Sequence, residues 1–324
     1  MTVPAPQPPV PPGPDDATRA SRDGLRGDLP TVTVLGTGTM GTGVAHSLLR
    51  EGFEVTVWNR TASRAAPLAD ARARVAPTAA QAVHGADVVL SILFDAAAVL
   101  DVLDAAGPSV GTGGVWVQAS TVGRDGTARI VERARQLGVT LVEANLLGTR
   151  QPAEDGQLTV LAAGDPDVLA GISPVLDAIS AKVVVAGTEV GQGTALKLAC
   201  NAWLAAITAA TAQSIALARA EGIDPHLFLD AIAGGASDSP YAHLKGAEMI
   251  TGEFAPQFAL DGLRKDIGLI SQAAEGAGLD PALLDALSDL YASAAARGHG
   301  GDDIAAVYAA FGAPSGRSEQ DETA

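Results

Sequence analysis

Short runs of β-branched and apolar residues alternate with helix-forming segments along the first half of the chain, and this alternation constrains the fold more than any other feature. The runs lie at 31–36, 54–58, 86–93, 114–120, 139–144, 158–164 and 182–187. Continuous apolar strands separated by helices are typical of a parallel sheet that is covered on both faces. The pattern therefore predicts an α/β domain with a parallel-sheet core.

The sequence changes character after Gly187, where strand-like runs give way to helical segments. Residues 191–221 contain no proline and are rich in Ala and Leu. They predict one helix of about 30 residues, roughly 45 Å long. Shorter helices follow, separated by turns that contain Gly or Pro. We therefore predict a sheet domain at 30–188, a long interdomain helix, and an all-α C-terminal domain, with the helical part at 189–312.

The two ends of the chain have a different composition. Seven of the 19 prolines fall within the first 14 residues, and this segment has neither the basic start nor the apolar core of a secretory signal. We interpret residues 1–29 as a disordered, Pro-rich tail. The small, polar and acidic residues 313–324 are interpreted as a second disordered tail.

The net charge and the cysteine content of the chain disfavour several classes of function. The net charge is -16, which disfavours binding to nucleic acid or to an anionic membrane surface. We find no stretch of about 18 uncharged apolar residues and therefore expect no membrane span. The single cysteine, Cys200, excludes an internal disulfide, and the five histidines lack ligand spacing, so we expect no metal site. The acidic net charge and the single cysteine together fit a cytoplasmic protein that acts on a small molecule.

A glycine-rich turn follows the first strand and opens the first helix. It reads Gly36-Thr37-Gly38-Thr39-Met40-Gly41. In a G-x-G-x-x-G turn the first glycine permits the tight bend, the second lets a pyrophosphate approach the backbone, and the third lets the helix pack on the strand. The helix N-terminus adds free N–H groups and a positive dipole. The turn predicts a Rossmann domain that binds a dinucleotide.

The end of the second strand indicates which dinucleotide is bound. An NAD site would place a carboxylate there, but this chain has Trp58-Asn59-Arg60-Thr61, followed by Arg64. Two guanidinium groups can form charge-assisted hydrogen bonds with a 2′-phosphate. We therefore predict NADP(H) over NAD(H). A solvated arginine pair at a helix start is the alternative.

Lys197 is the strongest candidate for a catalytic group. Lysine is scarce, with Lys182, Lys245 and Lys265 as the other three, and Lys197 lies on the predicted interdomain helix. Asn201 follows four positions later on the same helical face. Desolvation among apolar neighbours would lower the pKa of this lysine, so that it could exchange a proton with a substrate oxygen. A lysine that merely extends to solvent from an amphipathic helix is the alternative.

These motifs together resemble the β-hydroxyacid dehydrogenase family, including its 3-hydroxyisobutyrate dehydrogenase and glyoxylate/succinic semialdehyde reductase members. The resemblance spans residues 31–312 and rests on the glycine turn, Ser120-Thr121, Gly191-x-Gly193-x3-Lys197-x3-Asn201, and Phe258-x6-Lys265-Asp266. It implies a two-domain Rossmann fold and a homodimer or tetramer. It also implies Lys197 as general acid/base, with Asn201 and Ser120 as substrate ligands.

The resemblance and the motifs give a set of expected contacts. The cofactor-binding residues are expected to be Gly36, Thr37, Gly38, Thr39, Met40, Gly41, Asn59, Arg60, Thr61, Arg64, Leu93, Phe94, Thr121 and Lys265. The substrate is expected near Leu147, Gly148, Thr149 and Tyr241, although Tyr241 fits core packing equally well.

The chain departs from the family pattern where the family holds a substrate carboxylate. The family's Pro-Val-Ser-Gly-Gly turn is replaced by residues 145–149, in which Leu147 stands for the serine and Thr149 for the second glycine. Arg124 stands where the family has a proline. Arg124 and Arg150 could form a new anion site, or the pocket could take a less polar carbonyl or an imine.

Three functional readings follow. We expect an NADP(H)-dependent oxidoreductase that acts on a small hydroxyacid, semialdehyde or related carbonyl. Imine reductases share the architecture and the Trp-Asn-Arg-Thr turn, but they generally lack the lysine, so Lys197 favours C=O chemistry. A non-catalytic binding or scaffold protein is the third reading.

Overall fold

The computed structural model describes residues 29–312 and contains one eight-stranded sheet. The two predicted tails lie outside these residues, apart from Leu29. The strands are β1 (Val32–Leu35), β2 (Val55–Trp58), β3 (Arg74–Val75), β4 (Val88–Ser91), β5 (Val115–Gln118), β6 (Thr140–Leu147), β7 (Leu158–Ala163) and β8 (Ser180–Gly187). Their order across the sheet is β3-β2-β1-β4-β5-β6-β7-β8.

Seven of these strands correspond to the predicted apolar runs, and the two-residue β3 is additional. All neighbouring strands pair in parallel except β6 and β7, which are antiparallel through pairs from Glu143 with Ala163 to Leu147 with Thr159. The sheet is therefore mostly parallel, as predicted, with one reversal. Because β1 to β6 run the same way, the turns that follow them lie at one edge of the sheet, where doubly wound proteins bind ligands.

Helices cover both faces of this sheet. They are α1 (Thr39–Arg50), α2 (Ala62–Ala65), α3 (Ala79–Val83), α4 (Ala96–Ala106), α5 (Gly123–Leu137), α6 (Arg150–Asp155), α7 (Pro166–Gly171) and α8 (Ser173–Ile179). One hydrophobic cluster packs α1 and α6 to α8 on one face, and a second packs α3 to α5 on the other. Along β1 the side chains alternate between the two clusters, with Val34 in the first and Leu35 in the second.

The helical part of the chain is built around α9 (Gln192–Ala220), which begins and ends within one residue of the predicted helix. It is followed by α10 (His226–Ile232), α11 (Pro240–Thr251), α12 (Leu260–Gly276), α13 (Ala282–Ala294), a π-helical turn (Ala295–His299) and a 3₁₀ helix (Ile304–Phe311). Alanines and isoleucine on one side of α9 form a third hydrophobic cluster with these helices.

By length and composition α9 could cross a membrane, which the sequence analysis did not anticipate. In this fold α9 packs with one side against the sheet and the other helices, and 44% of its most apolar window is buried. Its apolar composition is explained in part by this packing, because Ala205, Ala209, Ala212 and Ile215 contact the helical core.

Candidate active site

The glycine-rich turn has the geometry that a pyrophosphate needs. Gly36 has φ of 101°, and a Cβ there would collide with the carbonyl oxygen of Ile92. A Cβ on Gly41 would collide with the carbonyl oxygen of Gly36. Around Gly38, the N-cap of α1, there is open space, and the first turn of α1 carries no acidic residue. The N-terminal N–H groups of α1 are therefore accessible to an anion.

Asn59 connects this turn to the end of β2. Its side-chain oxygen accepts a hydrogen bond from the Thr37 backbone N–H at 3.1 Å, and its amide nitrogen donates to the Thr61 carbonyl at 3.0 Å. The Thr37 hydroxyl is buried and has no partner among the described residues. Arg60 and Arg64 are exposed, and their guanidinium groups form no hydrogen bond or ion pair within residues 29–312. The polar groups of this turn thus fit a dinucleotide.

Lys265 on α12 joins the helical part to two loops of the sheet domain. Its ammonium donates to the Phe94 carbonyl at 2.9 Å and to the Thr121 carbonyl at 2.8 Å, and it pairs with Asp266 at 2.9 Å. It also lies 5.2 Å from the centre of the Phe94 ring. The structure therefore brings Phe94, Thr121 and Lys265 together, with two of the three donors of the ammonium hydrogen-bonded to backbone carbonyls.

Ser120 lies at the end of β5 in a buried hydrogen-bond network. Its hydroxyl donates to the Ser91 carbonyl at 3.0 Å and accepts from the Leu93 N–H at 2.8 Å. The side-chain oxygen of Gln118 accepts a hydrogen bond from the Ser120 N–H, and its amide nitrogen donates to the Ser120 carbonyl. Ser120 thus fixes the loop after β4, and its predicted contact with substrate stays a prediction.

Lys197 lies in the second turn of α9 and reaches the carboxyl end of β6. Its side chain is buried, and its ammonium donates to the Leu146 carbonyl at 2.8 Å. Burial lowers the pKa of Lys197 to about 8, because charge is costly away from water, while the Asp266 carboxylate and Cys200 oppose that shift. A lysine with such a pKa can both donate and accept a proton near neutral pH.

Asn201 and Asp266 complete the buried polar group around Lys197. The Asn201 amide nitrogen donates to Asp266 at 2.7 Å, and the Asn201 side-chain oxygen is buried with no partner among the described residues. That oxygen is an acceptor available to an ammonium or a hydroxyl. Sequence reasoning gave Asp266 no role, although it adjoins Lys265 in the Phe258-x6-Lys265-Asp266 motif.

Glu143 fixes the start of α9, and the sequence analysis also missed it. Its buried carboxylate accepts hydrogen bonds from the N–H groups of Gly191 at 2.6 Å, Gly193 at 3.0 Å and Thr194 at 3.3 Å, and from the Thr194 hydroxyl. A Cβ on Gly193 would lie 3.0 Å from this carboxylate and 3.1 Å from the Leu161 carbonyl oxygen. Glycine at 193 therefore permits the close approach of α9 to the sheet, which holds Lys197 in place.

The turn that departs from the family pattern lies beside Lys197. Leu147 is half-buried, Gly148 has φ of 140°, and Thr149 is the N-cap of α6 without a side-chain cap bond. The Arg150 guanidinium pairs with Glu154 at 2.9 Å. Tyr241, by contrast, packs against the hydrophobic cluster of the helical part with Lys245 facing its ring.

Comparison with known proteins shows the family to which the chain belongs. Residues 31–187 match the NAD-binding domain of 6-phosphogluconate dehydrogenase, and residues 191–311 match the NAD-binding domain of NADP-dependent 3-hydroxyisobutyrate dehydrogenase. Glyoxylate/succinic semialdehyde reductase 2, chloroplastic, from Arabidopsis thaliana is 32% identical over 90% of this chain and 83% of its own length. This chain belongs to the NAD(P)-dependent hydroxyacid dehydrogenase family. The sequence-based prediction of the family and of a nicotinamide cofactor is confirmed.

A second curated relative and two solved structures are also similar to this chain. Glyoxylate/succinic semialdehyde reductase 1 of Arabidopsis thaliana is 30% identical over 85% of this chain and 96% of its own length. The solved structure of 3-hydroxyisobutyrate dehydrogenase from Mycobacterium tuberculosis superposes with a TM-score of 0.80 at 25% identity, over 88% of this chain and 100% of that one. An imine reductase from Pseudomonas sp. superposes with a TM-score of 0.59 at 24% identity, over 88% of this chain and 100% of that one, and shares the fold.

Proposed function

We propose that this oxidoreductase reduces the carbonyl group of a small semialdehyde, oxo acid or related compound with NADPH, and that Lys197 supplies the proton. The observation that carries the proposal is the buried Lys197 ammonium, held at the carboxyl edge of the sheet with its pKa lowered to about 8. When bound, the nicotinamide supplies a hydride to the carbonyl carbon. Lys197 then gives a proton from Nζ to the carbonyl oxygen, and the reverse reaction returns it.

The other residues around Lys197 orient the substrate and the ammonium. The unpartnered side-chain oxygen of Asn201 can accept a hydrogen bond from the ammonium or from the product hydroxyl. Asp266 holds the Asn201 amide so that this oxygen keeps its direction. Ser120 keeps one lone pair free after its bonds to Ser91 and Leu93, which suits the predicted substrate contact.

The rate of reduction is expected to depend on the protonation of Lys197. Since the acid form is required, kcat/KM for reduction falls as pH rises through about 8, and kcat/KM for alcohol oxidation rises over the same range. Initial rates in both directions between acidic and alkaline pH measure this. Profiles that are flat through this range in both directions would remove Lys197 as the proton donor.

The two free guanidinium groups support a preference for NADPH. Arg60 and Arg64 have no partner within residues 29–312, and the end of β2 carries no carboxylate to bind ribose hydroxyls. Arg60→Ala is expected to lower the NADPH/NADH ratio of kcat/KM by about tenfold or more, the value of a charge-assisted hydrogen bond. Arg135→Ala, which removes a guanidinium paired with Glu132 on α5, serves as the control and leaves the ratio unchanged.

We also infer a homodimer, with a tetramer as the alternative assembly. The side of α9 away from the core exposes Trp203 at 67% and Leu217 at 61% of their surface. Exposed apolar groups on one helix favour association with another copy. The molar mass in sedimentation velocity tests this assembly. A cytoplasmic location remains part of the proposal.

NADPH oxidation against a panel of carbonyl compounds and cyclic imines tests the function directly. Reduction of aldehydes or oxo acids supports the proposal. Reduction of cyclic imines alone would move the chain to C=N chemistry, the alternative that shares this fold. NADPH binding without turnover of any compound would indicate a binding protein.

A further inference from the structure

We propose that the preferred substrates are uncharged aldehydes or ketones with an apolar chain, rather than oxo acids, and that Leu147 determines this preference. The inference rests on the proposed function, because it assigns a substrate class to the site around Lys197. It is carried by the position of Leu147 and by the charges already paired around the site.

The alternation of β6 places Leu147 on the side of the strand that faces α9. Val142, Ala144 and Leu146 project into the hydrophobic cluster on the other face of the sheet. Glu143, four positions before Leu147 and on the opposite face from these three residues, contacts the first turn of α9. Leu147 therefore shares the face of Glu143 and directly follows the carbonyl that binds Lys197. The wall next to the proton donor is a half-buried, branched apolar side chain.

The turn holds Leu147 in this direction. A Cβ on Gly148 would lie 2.7 Å from a methyl carbon of Leu158, so the backbone after Leu147 packs closely on β7. Gly148 also has φ of 140°, which residues with a Cβ rarely adopt. The backbone that follows Leu147 is therefore fixed against β7.

Two cations of this region, Arg150 and Lys265, are already paired with carboxylates. The Arg150 guanidinium pairs with Glu154, and the Lys265 ammonium is bonded to two carbonyls and to Asp266. Lys265 and Asp266 leave no net charge between them, and the proposed role of the Lys197 ammonium directs its charge to the carbonyl oxygen that it protonates. A substrate carboxylate at this site would therefore be desolvated without a cation of its own, which is unfavourable. The net charge of -16 adds a general repulsion of anions.

The remaining polar group on this face of β6 is neutral. Asn145 is 1% exposed, and neither atom of its side-chain amide has a partner among the described residues. It lies between Glu143 and Leu147 on the strand, close to Gly193. An amide can bind a water molecule or a hydroxyl group, but it cannot neutralise a carboxylate. Apart from the Lys197 ammonium, these groups offer a substrate hydrogen bonds and apolar contact rather than an unpaired positive charge.

A matched substrate pair tests the inference. Butanal and succinic semialdehyde have the same carbon chain and differ in a terminal methyl or carboxylate. The expected kcat/KM with NADPH is at least about tenfold higher for butanal, the value of one good apolar contact. Leu147→Ser is expected to reduce this ratio by about tenfold or more, because it replaces the apolar wall with a hydroxyl. Leu147→Thr also introduces a hydroxyl but removes less side-chain volume, so it serves as a second variant if Leu147→Ser does not fold.

The controls separate the possible outcomes. Leu141→Ser makes the same change in a half-buried leucine at the other end of β6 and is expected to leave the substrate ratio unchanged. Preference of the unaltered enzyme for succinic semialdehyde would overturn the inference while the proposed function stands. Loss of that preference in Arg124→Ala would then identify Arg124, exposed in the first turn of α5, as the carboxylate partner. Binding of NADPH without reduction of either aldehyde or any other carbonyl would overturn both.

Discussion

Lys197→Ala is expected to lower the kcat for carbonyl reduction by about a hundredfold or more, because it removes the proton donor from the transition state. The loss should appear mainly in kcat, since the cofactor turn at residues 36–41 is separate from α9. Stopped-flow or steady-state NADPH oxidation measures the effect. NADPH affinity, followed by fluorescence titration, is expected to stay within about twofold, well below the tenfold that 1.4 kcal/mol represents.

Lys182→Ala is the matched control for this prediction. Lys182 is one of the other three lysines, lies on β8 and is exposed, so its removal should leave kcat unchanged. Lys197→Arg is a second control, because a guanidinium keeps the charge but does not release a proton near neutral pH. Full carbonyl reduction by either variant of Lys197 would contradict its role as the acid.

Lys245→Met is expected to lower the free energy of unfolding by about 3–5 kcal/mol, the usual effect of removing one member of a buried ion pair. The Lys245 ammonium lies 2.7 Å from a carboxylate oxygen of Asp303, and both side chains are almost completely buried. Asp303 also caps the last 3₁₀ helix through the Ala305 N–H and accepts from Gln257 and Phe258. The unpaired carboxylate would therefore stay buried at the centre of the helical part.

Acidification provides a second readout for this pair. Burial alone would raise the pKa of Asp303, but Lys245 and the Ala305 N–H hold it below its usual value. Stability from the pair is therefore present above the ordinary carboxyl pKa and is lost as pH falls through the lowered value. In Lys245→Met the pKa of Asp303 should rise, so protonation relieves the buried charge and the difference between the two proteins shrinks at low pH.

Urea unfolding followed by far-UV circular dichroism at neutral and acidic pH measures both effects. Lys182→Met, which places the same side chain on the exposed edge of β8, is the control and should change the midpoint little. Equal midpoints for the unaltered protein and Lys245→Met at neutral pH would show that the pair contributes no stability.

Local sequence patterns predicted the parts of the fold that depend on local physics. Apolar runs identified seven strands because buried strands have no polar side, and the composition of residues 191–221 identified α9 because nothing in it breaks a helix. The two-residue β3 and the reversal at β7 were not predicted, since neither strand length nor strand direction is encoded in apolarity alone. The sequence pattern and the family resemblance assigned roles to Lys197, Asn201 and Lys265, which stay predictions, and the structure supplied the hydrogen-bond partners of these side chains.

Partners that are distant in sequence could not be predicted in this way. The cap of α9 comes from Glu143, 48 residues before Gly191, and Lys245 pairs with Asp303 across 58 residues. From the neighbouring sequence alone, Glu143 looks like an ordinary strand residue and Asp303 like an ordinary helix cap. Asp303 is the N-cap of the last 3₁₀ helix, but its burial against Lys245 follows only from the packing of α11 on that helix.

The carboxylate of Glu143 also bears on how the protein can be divided. The chain divides in sequence near residue 188, yet the acceptor for the first turn of α9 belongs to the sheet and its donors belong to the helical part. A fragment that ended at the division would keep a carboxylate without its donors, and the complementary fragment would start with uncapped N–H groups. The sheet part and the helical part are therefore expected to unfold cooperatively, as one thermodynamic unit.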